Sequence, residues 1–169
     1  EEKLDQFDLI IFDRYRRRGI IRNDYYDNIV KYVKKGGALL VADGPTFAGP
    51  LSIYQSPLND VLPARPTGEV IEEPYRPLKP AIGKRHPVTA ALPGDGTGAN
   101  PWGRWFRIVG AQVRSGHVLL SGPGGRPLMI VDRVEKGRVA LLLSDQLWLW
   151  DRGYEGGGPQ AELLRRLAH

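Results

Sequence analysis

The sequence predicts an α/β fold built on an open, mostly parallel sheet flanked by helices, with additional antiparallel strands in the C-terminal half. Two continuous apolar runs, FDLIIFD at 7–13 and ALLVAD at 38–43, are typical of strands buried on both faces. A helical pattern lies between them, and a strand, a helix and a strand in this order favour a parallel pair with a right-handed crossover. After residue 105 the apolar runs are short and separated by turns, which indicates the antiparallel part.

The strongest helix pattern is NDYYDNIVKYVKKGG, 23–37. Asn23 is the predicted N-cap, because its short side chain can accept from the free backbone N–H groups of the first turn. Gly36 is the predicted stop, since glycine tolerates the backbone conformations that end a helix. Apolar residues recur at helical spacing between these ends, at Tyr26, Ile29, Val30 and Val33.

Proline and glycine interrupt the chain after the second predicted strand. Segment 44–68 has only short helical possibilities, and 69–94 is predicted to be extended and edge-like, because proline lacks the N–H that a sheet ladder needs. Four strands are predicted from residue 105 onward, with a hairpin turn at VEKGR, 134–138. A last helix is predicted to begin near Pro159, whose fixed φ suits a first helical position.

Length and composition indicate one globular domain. The 169 residues are enough for a substantial core and show no internal boundary, so a single domain over 1–169 is predicted. The absence of cysteine excludes a disulfide framework, a thiolate zinc site and a cysteine nucleophile. The chain starts without methionine and its last helix pattern is cut short, which predicts a fragment excised from a longer chain.

A basic run after the first predicted strand supplies much of the formal net charge of +5. This basic patch consists of Arg14, Arg16, Arg17, Arg18 and Arg22. Such a patch could meet phosphate, nucleic acid or anionic lipid. A short run without interleaved aromatic residues is weak support for nucleic acid. A solvated loop is therefore the favoured interpretation, and nucleic acid is not an expected partner.

Three predicted strands end in an aspartate, and ligands of open α/β sheets bind outside these carboxyl ends. The aspartates are Asp13, Asp43 and Asp145. They could bind a divalent cation or act as acid and base, but for each one singly the favoured interpretation is that its side chain caps the turn after its own strand. With their neighbours they define a candidate ligand or partner crevice, formed by Asp13, Tyr15, Asp43, Gly44, Asp145 and Trp148.

Motifs of known catalytic and cofactor sites are missing from the sequence. No G-x-S-x-G elbow exists for a serine nucleophile, and the histidines His86, His117 and His169 do not have metal-ligand spacing. The glycine-rich segments SGPGGRP and YEGGGPQ match neither the phosphate-binding loop nor the dinucleotide-binding pattern. The sequence therefore predicts no catalytic residue, no resident metal and no cofactor.

Four segments together resemble the class I glutamine amidotransferase-like proteins, and within them the ThuA-like branch. The segments are FDLIIFDRY, IVKYVKKGGALLVADGP, GKRHPVTAALP and GRVALLLSDQLWLW. The resemblance implies a flavodoxin-like sheet and places Ala42 or Asp43 where active members carry the cysteine nucleophile. It places Ser144 and Gln146 near the histidine and glutamate positions of the family. Because a thiolate and its base are both missing, the resemblance implies no glutaminase activity.

The tail SDQLWLWDRGYEGGGP resembles domains of large, uncharacterised bacterial inner-membrane proteins. This implies a noncatalytic domain, a pseudoenzyme, that binds a ligand or a protein within a membrane-anchored chain. The implied partners are other domains of the same protein, a protein partner or an anionic membrane surface, and the implied location is membrane-associated. The alternative is a carboxylate-based hydrolase, with or without a metal, that uses Asp43 and Asp145. Convergence of these two side chains in a pocket would favour the hydrolase, and turn-capping aspartates would not.

Overall fold

The computed structural model of the chain describes residues 4–94 and 98–168. The strands of these residues are β1 Leu9–Asp13, β2 Ala38–Ala42, β3 Ala64–Ile71, β4 Ile108–Val113, β5 His117–Ser121, β6 Pro127–Val134 and β7 Gly137–Leu142. Their α-helices are α1 Asn23–Lys35, α2 Trp148–Asp151 and α3 Gln160–Ala168. Short 3₁₀ segments occupy parts of 45–60. His169 lies outside the described residues.

Five strands form the main sheet in the order β1-β2-β7-β6-β5. β1, β2 and β7 are parallel to one another, whereas β6 and β5 extend the sheet in antiparallel fashion. The parallel pair β1–β2, joined by α1, is the unit that the apolar runs predict. The hairpin β6–β7 turns at the predicted place, where Glu135 has a φ of 54°.

The prediction of an open, mostly parallel, flavodoxin-like sheet is wrong. Two of the four strand pairings in the main sheet are antiparallel, and β3 and β4 form a separate two-stranded antiparallel sheet. Proline explains much of the difference. Pro45 and Pro57 each begin a 3₁₀ segment of only four residues, so no second crossover helix forms there. The stretch 72–94 holds turns and isolated bridges rather than an extended edge strand.

α1 packs against one face of the parallel strands. Its N-cap is Arg22 rather than the predicted Asn23, and no side chain caps this end. Gly36 ends the helix with a φ of 131°, as the sequence predicts. Close packing against β7 depends on Gly137, because a Cβ there would lie 1.9 Å from the carbonyl oxygen of Val33. This face therefore belongs to the main hydrophobic core, which includes Leu39, Val41, Val139 and Leu141.

The opposite face of the parallel strands is only partly covered within the described residues. One row of paired residues crosses it, from Ile11 through Leu40 and Ala140 to Val131. Leu40 and Ala140 lie outside the main hydrophobic core but are buried, with 5% and 7% of their surfaces exposed, whereas Ile11 is 55% exposed. Parallel strands are ordinarily covered on both faces. We call this surface the open face and define it by Leu9, Ile11, Ala38, Leu40, Val131 and Ala140.

Candidate functional site

The carboxyl ends of β1, β2 and β7 meet at one edge of the main sheet. The backbone N–H that follows β1 donates to the carbonyl of Ala42 over 2.8 Å, and the N–H of Asp43 donates to the carbonyl of Leu142 over 3.0 Å. Asp13, Asp43 and Asp145 are thereby brought to the same edge. They are close enough for the charges of Asp13 and Asp145 to act on Asp43. We call this region the carboxyl-end crevice.

Asp43 is the most buried of the three carboxylates, with 2% of its surface exposed. Its Oδ1 accepts from the backbone N–H of Gly44 over 2.9 Å, while its Oδ2 is buried and has no hydrogen-bond partner. Burial raises the pKa of Asp43 to about 7, against the effect of the Gly44 N–H and with smaller contributions from Asp145 and Asp13. Arg16 acts in the opposite direction. Asp43 is thus a buried carboxyl that titrates near neutral pH.

Asp145 is held by an arginine that the sequence did not single out. Arg107 Nη2 lies 2.8 Å from Oδ2 and 3.1 Å from Oδ1 of Asp145, and Arg107 Nε lies 3.3 Å from Oδ1. The same guanidinium also approaches Glu72, with Nη1 3.8 Å from Oε1. On its other side the Asp145 carboxylate packs on Gly44, where an added Cβ would lie 2.6 Å from Cγ. The charge of Asp145 is therefore compensated within the chain.

Further hydrogen bonds fix the backbone around Arg107. Ser144 Oγ donates to the carbonyl of Arg107 over 2.7 Å, and the hydroxyl of Tyr75 donates to the same carbonyl over 3.1 Å. Burial raises the pKa of Tyr75, so this hydroxyl keeps its proton. Gln146 Oε1 accepts from the backbone N–H of Phe106. Ser144 and Gln146, the residues at the family's base positions, thus serve to hold the segment around Arg107.

The remaining crevice residues lie at its margin. Asp13 is exposed and lies 3.7 Å from Arg14 as an ion pair. The hydroxyl of Tyr15 accepts from Tyr26 over 2.9 Å, which ties it to α1. Trp148 is 49% exposed at the start of α2. Of the predicted site, Asp13, Asp43, Gly44 and Asp145 therefore come together, while Tyr15 is tied to α1 and Trp148 is exposed at the start of α2.

Most arginines of the basic patch make contacts within the chain. These contacts are Arg14 with Asp13 at 3.7 Å, Arg16 with Thr46 Oγ1 at 3.2 Å, Arg17 with the carbonyl of Gln55 at 2.8 Å and Arg22 with Asp24 at 3.2 Å. Arg17 is half-buried and ties loop 14–22 to the 3₁₀ segments. Arg18 is exposed. Part of the patch thus has a structural role.

The described residues contain no group of three or more histidine, cysteine, aspartate or glutamate side chains that could hold a metal ion. The three strand-end aspartates do not form such a group, because Asp145 is directed at Arg107 and Asp13 at Arg14. A metal-assisted reaction at the carboxyl-end crevice therefore has no ligand set in this part of the chain.

A cavity lies on the open face, away from the carboxyl-end crevice. It has a volume of about 780 Å³. Its floor is the apolar surface of β1, β2, β7 and β6, and one wall is α3 with the turn at 86–88. Four arginines and one aspartate lie around it: Arg133, Arg138, Arg165, Arg166 and Asp132. Sequence reasoning missed this cavity, although Arg133 and Arg138 are visible as charges inside strand patterns.

None of the helices in residues 4–94 and 98–168 is long and apolar enough to cross a membrane.

Comparison with known proteins finds similar structures but no family. No family model and no curated protein matches the chain. The cytoplasmic protein STM3548 from Salmonella typhimurium aligns with a TM-score of 0.74 and 19% identity, over 99% of this chain and 72% of that one. The cytoplasmic protein STM1381 from Salmonella typhimurium LT2 aligns with a TM-score of 0.70 and 22% identity, over 86% of this chain. The alignment spans 63% of STM1381.

A third similar structure is the mmIFT52 N-terminal domain. It aligns with a TM-score of 0.66 and 16% identity, over 97% of this chain and 76% of that domain. At such low identities these likenesses establish a shared fold and carry no activity to this chain.

The structural neighbours contradict the resemblance to class I glutamine amidotransferase-like proteins and their ThuA-like branch. The two Salmonella proteins and the mmIFT52 domain are among the similar structures, and no family model supports an amidotransferase. Three of the four quoted segments contain a strand and its turn, whereas GKRHPVTAALP lies in turns, and apolar strands with glycine turns recur in many α/β proteins. The family assignment rested on this shared pattern, and it is wrong.

The predicted location is also contradicted. STM1381 and STM3548 are named cytoplasmic proteins. The comparisons therefore do not support the predictions that the chain is a fragment of a bacterial inner-membrane protein and that it is membrane-associated.

Proposed function

We propose that this chain is a noncatalytic binding domain whose ligand is a segment of another protein. The observation that carries the proposal is the open face, where apolar residues of the main sheet line a cavity of about 780 Å³. Ile11 at its margin is 55% exposed. Exposed apolar surface of this kind is typical of an interaction site. A protein segment suits it because its floor is broad and extends over four adjacent strands.

The carboxyl-end crevice supports the noncatalytic part of the proposal. A reactive carboxylate needs access to its substrate and freedom from a competing partner. Asp43 is 2% exposed, and Asp145 is held in a two-pronged ion pair by Arg107. The chain also has no cysteine to serve as a thiolate nucleophile. These carboxylates are better suited to holding the strand ends together than to attacking a substrate.

Two measurements on the purified chain test this proposal. The first is turnover of glutamine and of chromogenic ester, phosphate and glycoside substrates, for which we expect no activity above background. The second is selection from a random peptide library, followed by amide hydrogen exchange of the bound chain. We expect selected peptides to protect β1 and β2, which carry the open face. Robust turnover, or peptides that protect only loop 14–22, would overturn the proposal.

A carboxylate-based hydrolase is the second candidate, and one observation favours it. Asp43 has an unpartnered Oδ2 and a pKa raised to about 7 by burial, and such a group can act as a general acid or base near neutral pH. Asp145 would have to leave Arg107 to act as its partner. In the turnover assays, Asp43→Asn should then abolish activity, whereas Asp13→Asn, at the exposed strand end, should keep it. Equal activity of wild type and Asp43→Asn would exclude a hydrolase that uses Asp43.

A further inference from the structure

β1 lies at one end of the main sheet, and within the described residues only β2 pairs with it. The backbone N–H of Arg14 donates to the carbonyl of Ala42 and so continues the ladder between these two strands. Because backbone groups alternate in direction along a strand, the N–H and C=O groups of Leu9, Ile11 and Asp13 point away from β2. No segment of residues 4–94 and 98–168 forms a bridge or a backbone hydrogen bond with these groups. The outer edge of β1 therefore offers unpaired donors and acceptors at these three residues.

Two other strand edges are protected in ways that β1 is not. At the far end of the main sheet, Ser121 of β5 exchanges two backbone hydrogen bonds with Leu78, at 2.9 and 3.0 Å. The chain after Leu78 stays close to β5, since a Cβ on Gly83 would lie 2.2 Å from the carbonyl oxygen of Leu119. β3 contains Pro66 and a register shift after it, two features that oppose further strand pairing. β1, with the sequence LIIFD, has neither a proline nor a covering segment among the described residues.

A second copy of the chain fits this edge when the two β1 strands run antiparallel around Ile11. In that register the two Ile11 residues face each other, and Leu9 of each copy faces Asp13 of the other. All of these pairs are of the type that exchanges two backbone hydrogen bonds, so about six bonds form. A shift by two residues in either direction leaves one pair out, and a shift by one residue turns the wrong backbone groups toward the partner. The strand is thus complementary to itself in one register.

The surroundings of β1 also suit this register. Ile11, 55% exposed in the single chain, would be covered by the Ile11 of the second copy, and apolar pairs directly opposite each other stabilise a sheet. The two Asp13 carboxylates would be about 14 Å apart, so salt largely screens their repulsion. The loop after β1 does not pair with the edge, because the N–H of Arg17 donates to the carbonyl of Leu51. Antiparallel addition to a parallel strand already occurs in this sheet, where β6 pairs with β7.

On these grounds we infer that two copies of the chain associate through their β1 edges into a two-fold dimer with one continuous sheet. The inference goes beyond the proposed binding function and extends its site. In the dimer, the paired row that ends at Ile11 on the open face continues into Ile11 of the second copy, so each copy adds to the open face of the other. The formal net charge of +5 on each copy opposes association, so the dimer should be stronger at high salt than at low salt.

The absence of cysteine makes single-cysteine cross-linking a direct test. Paired Cα atoms of this type are about 5.5 Å apart, within the range that a disulfide spans. With oxidised glutathione we expect Ile11→Cys to form a covalent dimer, and Leu9→Cys or Asp13→Cys alone, about 14 Å from its own copy, at least about tenfold less. A mixture of Leu9→Cys with Asp13→Cys should cross-link again as a heterodimer. Ile20→Cys, at a site that is 83% exposed in loop 14–22, measures cross-linking by random collision.

Light scattering tests the dimer without a cross-link. In about 0.3 M salt the mass of the wild-type chain should rise with concentration toward twice that of the monomer. Ile11→Pro removes an outward N–H and no bond to β2, so it should fold, as circular dichroism can check, and remain monomeric. Ile20→Ser, which removes another exposed isoleucine, should dimerise as the wild type does. Amide hydrogen exchange should slow at Leu9 and Ile11 as the concentration rises, whereas Phe12, which is bonded to β2, should not change.

Four results would overturn the inference. The first is a wild-type chain that stays monomeric at every concentration, and the second is a dimer that Ile11→Pro leaves intact. The third is cross-linking of Ile11→Cys no greater than that of Ile20→Cys. The fourth is a monomer in which an extended peptide from the library protects the amides of Leu9 and Ile11, because a strand of another protein would then occupy the edge. None of these results removes the proposed binding function, which depends on the peptide selection and the turnover assays.

Discussion

The carboxyl-end crevice and the open face both involve the strands β1, β2 and β7, but they differ in which kinds of side chain are buried and which are exposed. In the crevice, charged groups are buried and find partners within the chain, as Asp145 does in Arg107. On the open face, Ile11 is 55% exposed, whereas Leu40 and Ala140 are buried although they line the cavity. A cluster of carboxylates at strand ends is the more conspicuous feature in the sequence. The comparison indicates that the pair of Asp145 with Arg107 holds this edge of the sheet, while on the plainer apolar face Ile11 is left exposed.

The largest expected effect concerns the buried carboxyl of Asp43 and the pH dependence of stability. Its pKa in the folded chain is about 7, above the value near 3.8 of an unburied aspartate. The folded state therefore binds more protons between these two values, so stability falls as pH rises from about 4 to about 7 and then levels off. A rise of about three pKa units corresponds to a loss on the order of 3 to 4 kcal/mol. Asp43→Asn stays neutral and should lack this fall.

Urea unfolding of wild type and Asp43→Asn at several pH values between about 4.5 and about 7.5 checks this expectation. His86 contributes the opposite slope, because burial and then the charge of His117 lower its pKa, and stability linked to it is lost as pH falls. The difference between the two proteins removes that contribution, which is common to both. If the free energy of unfolding depended on pH in the same way in wild type and Asp43→Asn, Asp43 would be solvated. The crevice would then not differ from the open face by holding a buried carboxyl.

The next effect comes from the ion pair that closes the crevice. Arg107→Ala would leave Asp145 without its partner at a site where 15% of the Asp145 side chain is exposed, and close to Asp43. We expect a loss of about 2 kcal/mol, less than for a fully buried pair because Arg107 itself is 31% exposed. Arg104→Ala, which breaks the more exposed pair with Glu155, is the control and should cost less. Urea unfolding of the two variants gives the comparison, and an equal loss would contradict it.

A smaller effect is expected where the backbone approaches Asp145. In Gly44→Ala the new Cβ would lie 2.6 Å from Asp145 Cγ, so the carboxylate would have to shift away from Arg107. Overpacking of this kind costs about 1 to 2 kcal/mol. Gly49→Ala is a suitable control, since its Cβ would meet only the Thr46 carbonyl at 3.7 Å and its φ is negative. Thermal unfolding should separate the two variants, and equal melting temperatures would show that Asp145 moves without consequence.

Local sequence patterns predicted the part of the fold that depends on nearby residues. The β1–α1–β2 unit follows from apolar periodicity and from Gly36, and the meeting of strand ends follows from the parallel arrangement of the strands. The N-cap was misplaced by one residue, because Arg22 takes the extended backbone that Asn23 was expected to have. The order of the remaining strands depends on proline-rich connections whose paths have no periodic signal.

Contacts between residues that are far apart in the chain could not be predicted from the sequence. Arg107 and Asp145 are 38 residues apart, and nothing in either local pattern indicates the pair. The open face was equally hidden, because LIIFD and ALLVA read as strands buried on both faces whether or not a helix covers each face. Composition and periodicity report that a strand is apolar, and only the packed structure reports which face lacks a cover.

The smallest expected effect tests that last distinction within one strand. Ile10 and Ile11 are neighbours in β1 and face opposite sides of the sheet, with Ile10 packed against the main core and Ile11 55% exposed. Ile10→Ala should cost about 2 kcal/mol, because it removes packed methyl groups, whereas Ile11→Ala should cost less than about 1 kcal/mol. Urea unfolding measures both. If Ile11→Ala costs as much as Ile10→Ala, Ile11 is covered within the chain and the two faces of β1 do not differ.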